Sequence, residues 1–368
     1  MVKERRLPGG RTAGFQPAAM LDADAGKMRR YGRLEAGAPP GLVGMPASGL
    51  RINGRGDFLM IESFKHLAEV ARDRDASEVF LEADAQEHGV TAEEILASLA
   101  NRREVMWECI GRGLGGGTSM GKLVGNEAKL LNEAFLAKKT FLDPLMVKAE
   151  LYALSVMGEN SRMGVIVAAP TAGAGGVVPG MLLALEEERH VDPAKTVRAL
   201  VIAGGFGSII ALTASISGAA GGCQNEVGVA CSMGAAAATY MMGGSTLQSI
   251  HAAALALKNT LGLVCDPVGG LVEVPCVKRN AFFSVHGLTA AQLALAGVES
   301  FIPMDEVVEA MVRIGRQMPR GLRETAEGGL ATTATGCEVG QRIKDEANQR
   351  RADKAAERER VASERKAH

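Results

Sequence analysis

Two stretches hold the residues best suited to chemistry: Gly221-Gly222-Cys223-Gln224-Asn225-Glu226 and Cys265-Asp266-Pro267-Val268-Gly269-Gly270-Leu271-Val272-Glu273-Val274-Pro275-Cys276. Each of their three cysteines adjoins a turn, with Gly221-Gly222 before Cys223, Asp266-Pro267 after Cys265 and Pro275 before Cys276. A thiol at a glycine-lined turn can reach a bulky inorganic ligand, because no neighbouring Cβ crowds the approach. Three thiolates would hold three irons of a cubane cluster and leave the fourth open, and an open iron is a Lewis acid towards a hydroxyl. Spacing alone supports this weakly, since the cysteines are far apart and unevenly placed. The absence of any C-x-x-C pair disfavours a zinc ribbon or a ferredoxin-type cluster. Cys109 and Cys231 fall inside helical patterns and are assigned to the core, and Cys337 to a surface or packing role.

The elements that must position these turns read as helices almost throughout. Phe64, Leu67, Ala68, Val70 and Ala71 form one apolar stripe, and Thr91 with Glu94 makes a capping box ahead of Ile95, Leu96, Leu99 and Val105. Asp143-Pro144 and Asp192-Pro193 each set an N-cap before a first-turn proline, opening helices expected to run to about Met157 and Leu212. Further helices are expected over 226–242, 245–261, 278–296 and 304–317, and Gly164 to Ala169 and Gly262 to Cys265 are the short strand-like exceptions. The fold class is therefore all-α, a single helical catalytic domain over 58–340 with glycine-rich loops around a cluster site. Residues 1–57 mix Arg, Gly, Pro and Ala without an apolar period and are expected to be a disordered extension, with Met60 a candidate true start. The stretch 341–368 interleaves Lys, Arg, Glu and Asp without an a/d seam, and predicts a solvated or frayed helical tail.

Composition narrows the function classes. A formal net charge of −1 gives no field for nucleic acid. No signal-peptide h-region opens the chain, so the six cysteines are expected to be reduced thiols in a cytoplasmic protein rather than a disulfide framework. No membrane span is expected, and Val197 to Ala220, which comes nearest, reads as a buried core helix ending in a turn. Aromatics make up only 4% against 46 glycines and 17 methionines, which favours close helix packing over a β-sandwich. Gly115-Gly116-Gly117-Thr118 followed by Lys122 could pass for a pyridoxal-phosphate cup, but the alternating strands and helices of such enzymes are missing.

Three stretches together resemble a known family: Ser161 to Gly180 (SRMGVIVAAPTAGAGGVVPG), Ser215 to Gly228 (SISGAAGGCQNEVG) and Lys258 to Asn280 (KNTLGLVCDPVGGLVEVPCVKRN). They are similar to the α subunit of the iron–sulfur-dependent L-serine dehydratases, and Asp305 to Leu330 continues the likeness. The resemblance covers roughly residues 60–340. It implies a [4Fe–4S] cluster on Cys223, Cys265 and Cys276, a helical catalytic domain, and conversion of L-serine to pyruvate and ammonia. For the substrate carboxylate the expected grip is the loop Pro170 to Gly176, with Thr171, Gly173 and Gly175, where small residues expose backbone N–H groups ahead of a helix. Ser217 with Gly218 would add hydrogen bonds, and Arg279 and Asn280 would bind the carboxylate or balance the cluster's charge, ordinary surface placement of the Lys278-Arg279 pair being the alternative.

Single-chain members of the family carry a further domain with a Ser-Ser-Ser-His-Thr segment, which is absent here. None of the six histidines (His66, His88, His190, His251, His286, His368) lies in the cysteine motifs. The expected partner is therefore a separate β subunit that closes the site, leaving the general base unassigned. The C-terminal cysteine that some relatives carry is also missing from this tail, which ends Ser363 to His368. Competing readings are a cluster-dependent L-cysteine desulfidase and a non-enzymatic iron–sulfur sensor. The assignment predicts that Cys223→Ser, Cys265→Ser and Cys276→Ser each abolish iron loading while Cys109→Ser and Cys231→Ser do not. Iron and sulfide analysis after anaerobic purification decides, and full iron content in any of the first three refutes the ligand set.

Overall fold

The computed structural model describes residues 59–367, so the expected extension over 1–57 lies outside the described residues. Helices account for all the regular structure among them: α1 (Phe64–Val70), α2 (Ala76–His88), α3 (Ala92–Gly113), α4 (Glu127–Leu136), α5 (Pro144–Ser161), α6 (Val177–Glu188) and α7 (Pro193–Thr213) lead to the single turn α8 (Gly218–Gly221). Then come α9 (Val229–Met241), α10 (Thr246–Lys258), α11 (Cys276–Leu295), α12 (Met304–Gln317) and α13 (Ala334–Ala367). The all-α class holds.

Local chemistry starts these helices where expected. Asp143 accepts from the Leu145 N–H at 3.0 Å and Asp192 from the Ala194 N–H at 2.8 Å, each ahead of a first-turn proline. The Thr91–Glu94 box is closed both ways, at 3.2 Å and 2.8 Å. The strand-like stretches, however, form no sheet. Gly164 turns back so that its N–H meets the Glu159 carbonyl at 2.9 Å, and Cys265 makes only an isolated parallel bridge with Arg323. An extended segment without a second segment alongside has no ladder to join.

At the centre lies α9, apolar or small all round and buried on every face, packed against α6, α7, α10 and α11. Small residues set the spacing. Met181 of α6 fills the space opposite two glycines: a Cβ on Gly234 of α9 would lie 2.5 Å from its sulfur, and one on Gly287 of α11 2.6 Å from its terminal methyl. Helix α7, the expected core helix, is long and apolar enough by length and composition to cross a membrane, but it packs against α2, α3 and α9 in the core. The last helix begins at Ala334, earlier than the tail expected from the charge pattern, and its first turns lie on the Val268–Gly270 turn. Helix α3 crosses α5 at Gly113, where a Cβ would meet the Ser155 carbonyl oxygen at 2.2 Å. Gly113→Ala is expected to lower stability by about 1–3 kcal/mol, measured by urea unfolding, because the helices must separate to admit one methyl.

Candidate active site

Cys223 is delivered by a turn that only its surroundings explain. Gly222 sits at φ 83°, where a Cβ would press on the Leu263 carbonyl oxygen and the Met318 sulfur, both 2.7 Å away. The chain then enters a π-turn, Gln224–Gly228, where a regular helix from 226 was expected. Gln224 ties it down: its N–H donates to Leu263 O at 3.1 Å, its side-chain oxygen accepts from the Gly262 N–H at 2.9 Å, and its Nε2 donates to Met311 O at 3.0 Å. These bonds fix Cys223 against both the segment leading to Cys265 and helix α12.

Cys265 is held by its backbone, donating to Leu322 O at 2.9 Å and accepting from the Glu324 N–H at 2.8 Å. Cys276 opens α11. All three thiols are buried. The Cys223 and Cys265 sulfurs and a Glu226 carboxylate oxygen lie within 4.8 Å of one another, and Cys276, not part of that trio, is near enough to interact electrostatically with both sulfurs. Arg279, one turn into α11, places Nη1 3.6 Å from the Cys223 sulfur and 2.9 Å from Val264 O, and Nη2 2.9 Å from Asp266. The hydrogen bond from Cys265, with the guanidinium behind it, holds the Cys223 thiol below its usual range against the opposing effect of burial. Cys265 moves upward, through donating that bond and through burial. Burial, reinforced by negative charge at Cys223, pushes Cys276 up to about 12. Thiolate character is therefore concentrated at one sulfur beside one cation.

The glycine-rich loop reaches the same place. Thr171 Oγ1 donates to Glu226, and a Cβ on Gly173 would lie 2.6 Å from that carboxylate. Asn280, fully buried, accepts from the Gly176 N–H at 3.0 Å and donates to Gly173 O at 2.9 Å and Cys276 O at 3.0 Å. It joins loop to cysteine helix rather than facing a ligand. Gly175 packs against Ile166, and its N–H is used within the loop. Among the described residues the N–H groups of Thr171 to Ala174 have no protein acceptor, although Gly173 and Ala174 are buried. Ser217 spends its hydroxyl capping α8, accepting from Ala219 N–H at 3.2 Å. Arg279 is mostly buried, which removes the surface reading for it, whereas Lys278 pairs with Glu127 at the edge of α4.

Two carboxylates escaped the sequence reading. A Cβ on Gly218 would lie 3.1 Å from the Cys265 sulfur and 3.3 Å from both Glu226 and Glu324. Burial raises Glu226 above the usual carboxylate range, and the charge of Glu324 adds to this, while Thr171 opposes. Glu324 adopts φ 61°, a left-handed conformation unusual for this residue type. Glu226 was within the quoted motif and could have been found there; nothing in the sequence signals Glu324. Two of the histidines are engaged elsewhere: His251 Nδ1 accepts from Ser300 N–H at 3.2 Å, and His286 lies 3.0 Å from Ala256 O. Lys122, which follows the Gly115–Gly117 run, pairs with Glu346 at 3.2 Å.

The serine dehydratase alpha chain family matches residues 65–331, and the chain belongs to that family. It is 45% identical over 286 residues to the "Probable L-serine dehydratase, alpha chain" of Bacillus subtilis (strain 168), covering 77% of this chain and 95% of that one. It is 38% identical over 283 residues to the "L-serine dehydratase, alpha chain" of Peptoniphilus asaccharolyticus, covering 76% and 97%. Against "L-serine dehydratase 2" of Escherichia coli (strain K12) it is 42% identical over 253 residues, or 67% of this chain and 56% of that longer protein. Asn280→Ala is expected to cost about 1–3 kcal/mol in urea unfolding, since it strands one N–H and two carbonyls in a closed interior.

Proposed function

We propose that this chain is the α subunit of a cytoplasmic L-serine dehydratase, which eliminates water from L-serine and yields pyruvate and ammonia. The observation that carries the reading is the grouping of three buried thiols, the amides of Thr171 to Ala174, which have no protein acceptor among the described residues, and Glu226 with Glu324 around Gly173 and Gly218. Cys223, Cys265 and Cys276 would hold a [4Fe–4S] cluster. The donor set fits that group, being sulfur-only, buried, already biased to thiolate at Cys223, and faced by the Arg279 guanidinium. When bound, the cluster supplies a Lewis-acidic iron that stabilises hydroxide as a leaving group.

The chain's own residues recognise the amino acid. Its carboxylate accepts from the amides of Thr171 to Ala174, the stretch leading into α6, where partial positive charge favours an anion. Its ammonium donates to Glu226 and Glu324, whose mutual repulsion a cation relieves. The two charges of a zwitterion sit on one carbon, and here anion and cation grips are adjacent: Glu226 lies flush against Gly173. Loss of the Cα proton and of the β-hydroxyl, as water, leaves aminoacrylate, which tautomerises and hydrolyses to pyruvate and ammonia. The proton acceptor is assigned to the β subunit; of this chain's histidines, His251 and His286 bond Ser300 and Ala256.

Anaerobic reconstitution with iron and sulfide, followed by a pyruvate assay with and without the β chain, tests the reading. Activity on serine with both chains supports it. Sulfide released from L-cysteine with no turnover of serine would make it a desulfidase, and a loaded but inert pair of chains would make it a sensor. Glu226→Gln and Glu324→Gln are each expected to raise KM for serine roughly ten- to hundredfold, the loss of a hydrogen bond to a charged group, with a smaller change in kcat.

A further inference from the structure

We infer that Glu273 is a positioning residue for Cys276, tying it to the loop Gly115–Gly125 and, through that loop, to helix α13. The inference rests on the cluster reading above. The Glu273 side chain is buried at 2% exposure, yet no lysine or arginine pairs with it among the described residues. Its carboxylate accepts from Ser119 Oγ at 2.6 Å, the Gly121 N–H at 2.7 Å and the Leu123 N–H at 3.3 Å. A buried carboxylate held by neutral donors alone is costly, so packing does not account for the choice of residue. An acceptor-only group does: three donors converge on both oxygens, and a glutamine would turn an NH2 towards at least one of them.

The backbone of the same residue faces the cysteine. Its carbonyl accepts from the Val277 N–H at 3.0 Å, closing the first turn of α11 that Cys276 begins. Its N–H donates to Leu271 O at 2.7 Å, and Val268 N–H to Val274 O at 2.9 Å closes the segment between Cys265 and Cys276. Glu273 is thus clamped at both ends.

The loop is gripped from its other side as well. The Gly121 peptide gives its N–H to Glu273 and its carbonyl to Arg342 of α13, at 2.8 Å. A Cβ on Gly121 would sit 2.5 Å from the Leu271 side chain and 2.9 Å from the Glu273 carboxylate, so a larger residue would press on the very group that Gly121 binds. Lys122 meets Glu346 of α13, and a Cβ on Gly269 would lie 2.6 Å from Ile343, which places α13 against the cysteine-bearing segment itself. One continuous path runs from Arg342 through Gly121 and Glu273 to Cys276.

The test uses the full-length chain, prepared metal-free and also anaerobically loaded, in wild type, Glu273→Gln, Glu273→Asp, Ser119→Ala and Arg342→Ala forms. Alkylation of each cysteine by iodoacetamide is followed by mass spectrometry. A buried thiol reacts only on local opening, so its rate reports how firmly its segment is held. Glu273→Gln is expected to speed labelling of Cys276 about tenfold while leaving Cys109 and Cys231 unchanged. Ser119→Ala and Arg342→Ala should act in the same direction but less strongly, and Glu273→Asp should restore part of the protection. In the loaded protein the same order should appear in the rate at which a chelator bleaches the 400 nm absorbance. Equal acceleration at every cysteine, or none at Cys276, overturns the inference. Should Glu273→Gln fail to fold, Ser119→Ala and Arg342→Ala decide by the same readout. A wild type that takes up no iron would sink the cluster reading while the metal-free labelling still judged Glu273.

Discussion

A single guanidinium holds the site together. Arg279 reaches the Cys223 sulfur, the Val264 carbonyl and Asp266 at once, and so joins the turn before α9, the segment entering Cys265 and the first turn of α11. Asp266 uses its other oxygen to accept from the Leu330 N–H at 2.9 Å, which extends the link to the chain just before α13. Thiolate charge in a helical core is unfavourable unless a cation and hydrogen bonds attend it. Arg279 supplies both at the sulfur where negative charge is favoured. Its planar fork serves three acceptors in fixed directions, which a lysine ammonium on a flexible stem would not reproduce.

This arrangement is possible because the core is assembled from small residues. Alanine and glycine on α9 let four helices approach it closely, and Met181 fits between Gly234 and Gly287 where a larger partner would not pass. Close packing leaves the site no slack. Each cysteine lies on a turn pinned from outside: Cys223 by Gln224 and α12, Cys265 by the Leu322 to Glu324 strip, Cys276 by Glu273 and Asn280. The backbone around the three sulfurs is thus held at several points, whereas the amides of Thr171 to Ala174 have no protein acceptor among the described residues.

The charges divide along the same line. The guanidinium reaches the Cys223 sulfur, whereas two carboxylates and the Cys265 sulfur crowd Gly218. Glu226 therefore experiences burial and a like charge together, an arrangement that costs folding energy. Glu324 accepts a left-handed backbone to be there.

Helix starts at Asp143, Asp192 and Thr91 could be read directly, because an N-cap acts on its own next turn and needs nothing distant. The grouping of Cys223, Cys265 and Cys276 was legible for a related reason: glycine and proline beside them fix the local backbone, and their motifs carry the family likeness. The sequence also determined the all-helical class, through the periodic apolar stripes and the shortage of β-forming aromatics. Distant approach decided the rest. The π-turn at Gln224 arises where Gly228 meets Thr260, Arg279 is drawn inward by a sulfur and a carboxylate brought together only by folding, and Glu273 finds its three donors far back in the chain. A residue's type states which bonds it is able to make. Which of them it does make depends on what packing carries to within 3 Å, and no pattern confined to neighbouring positions records that.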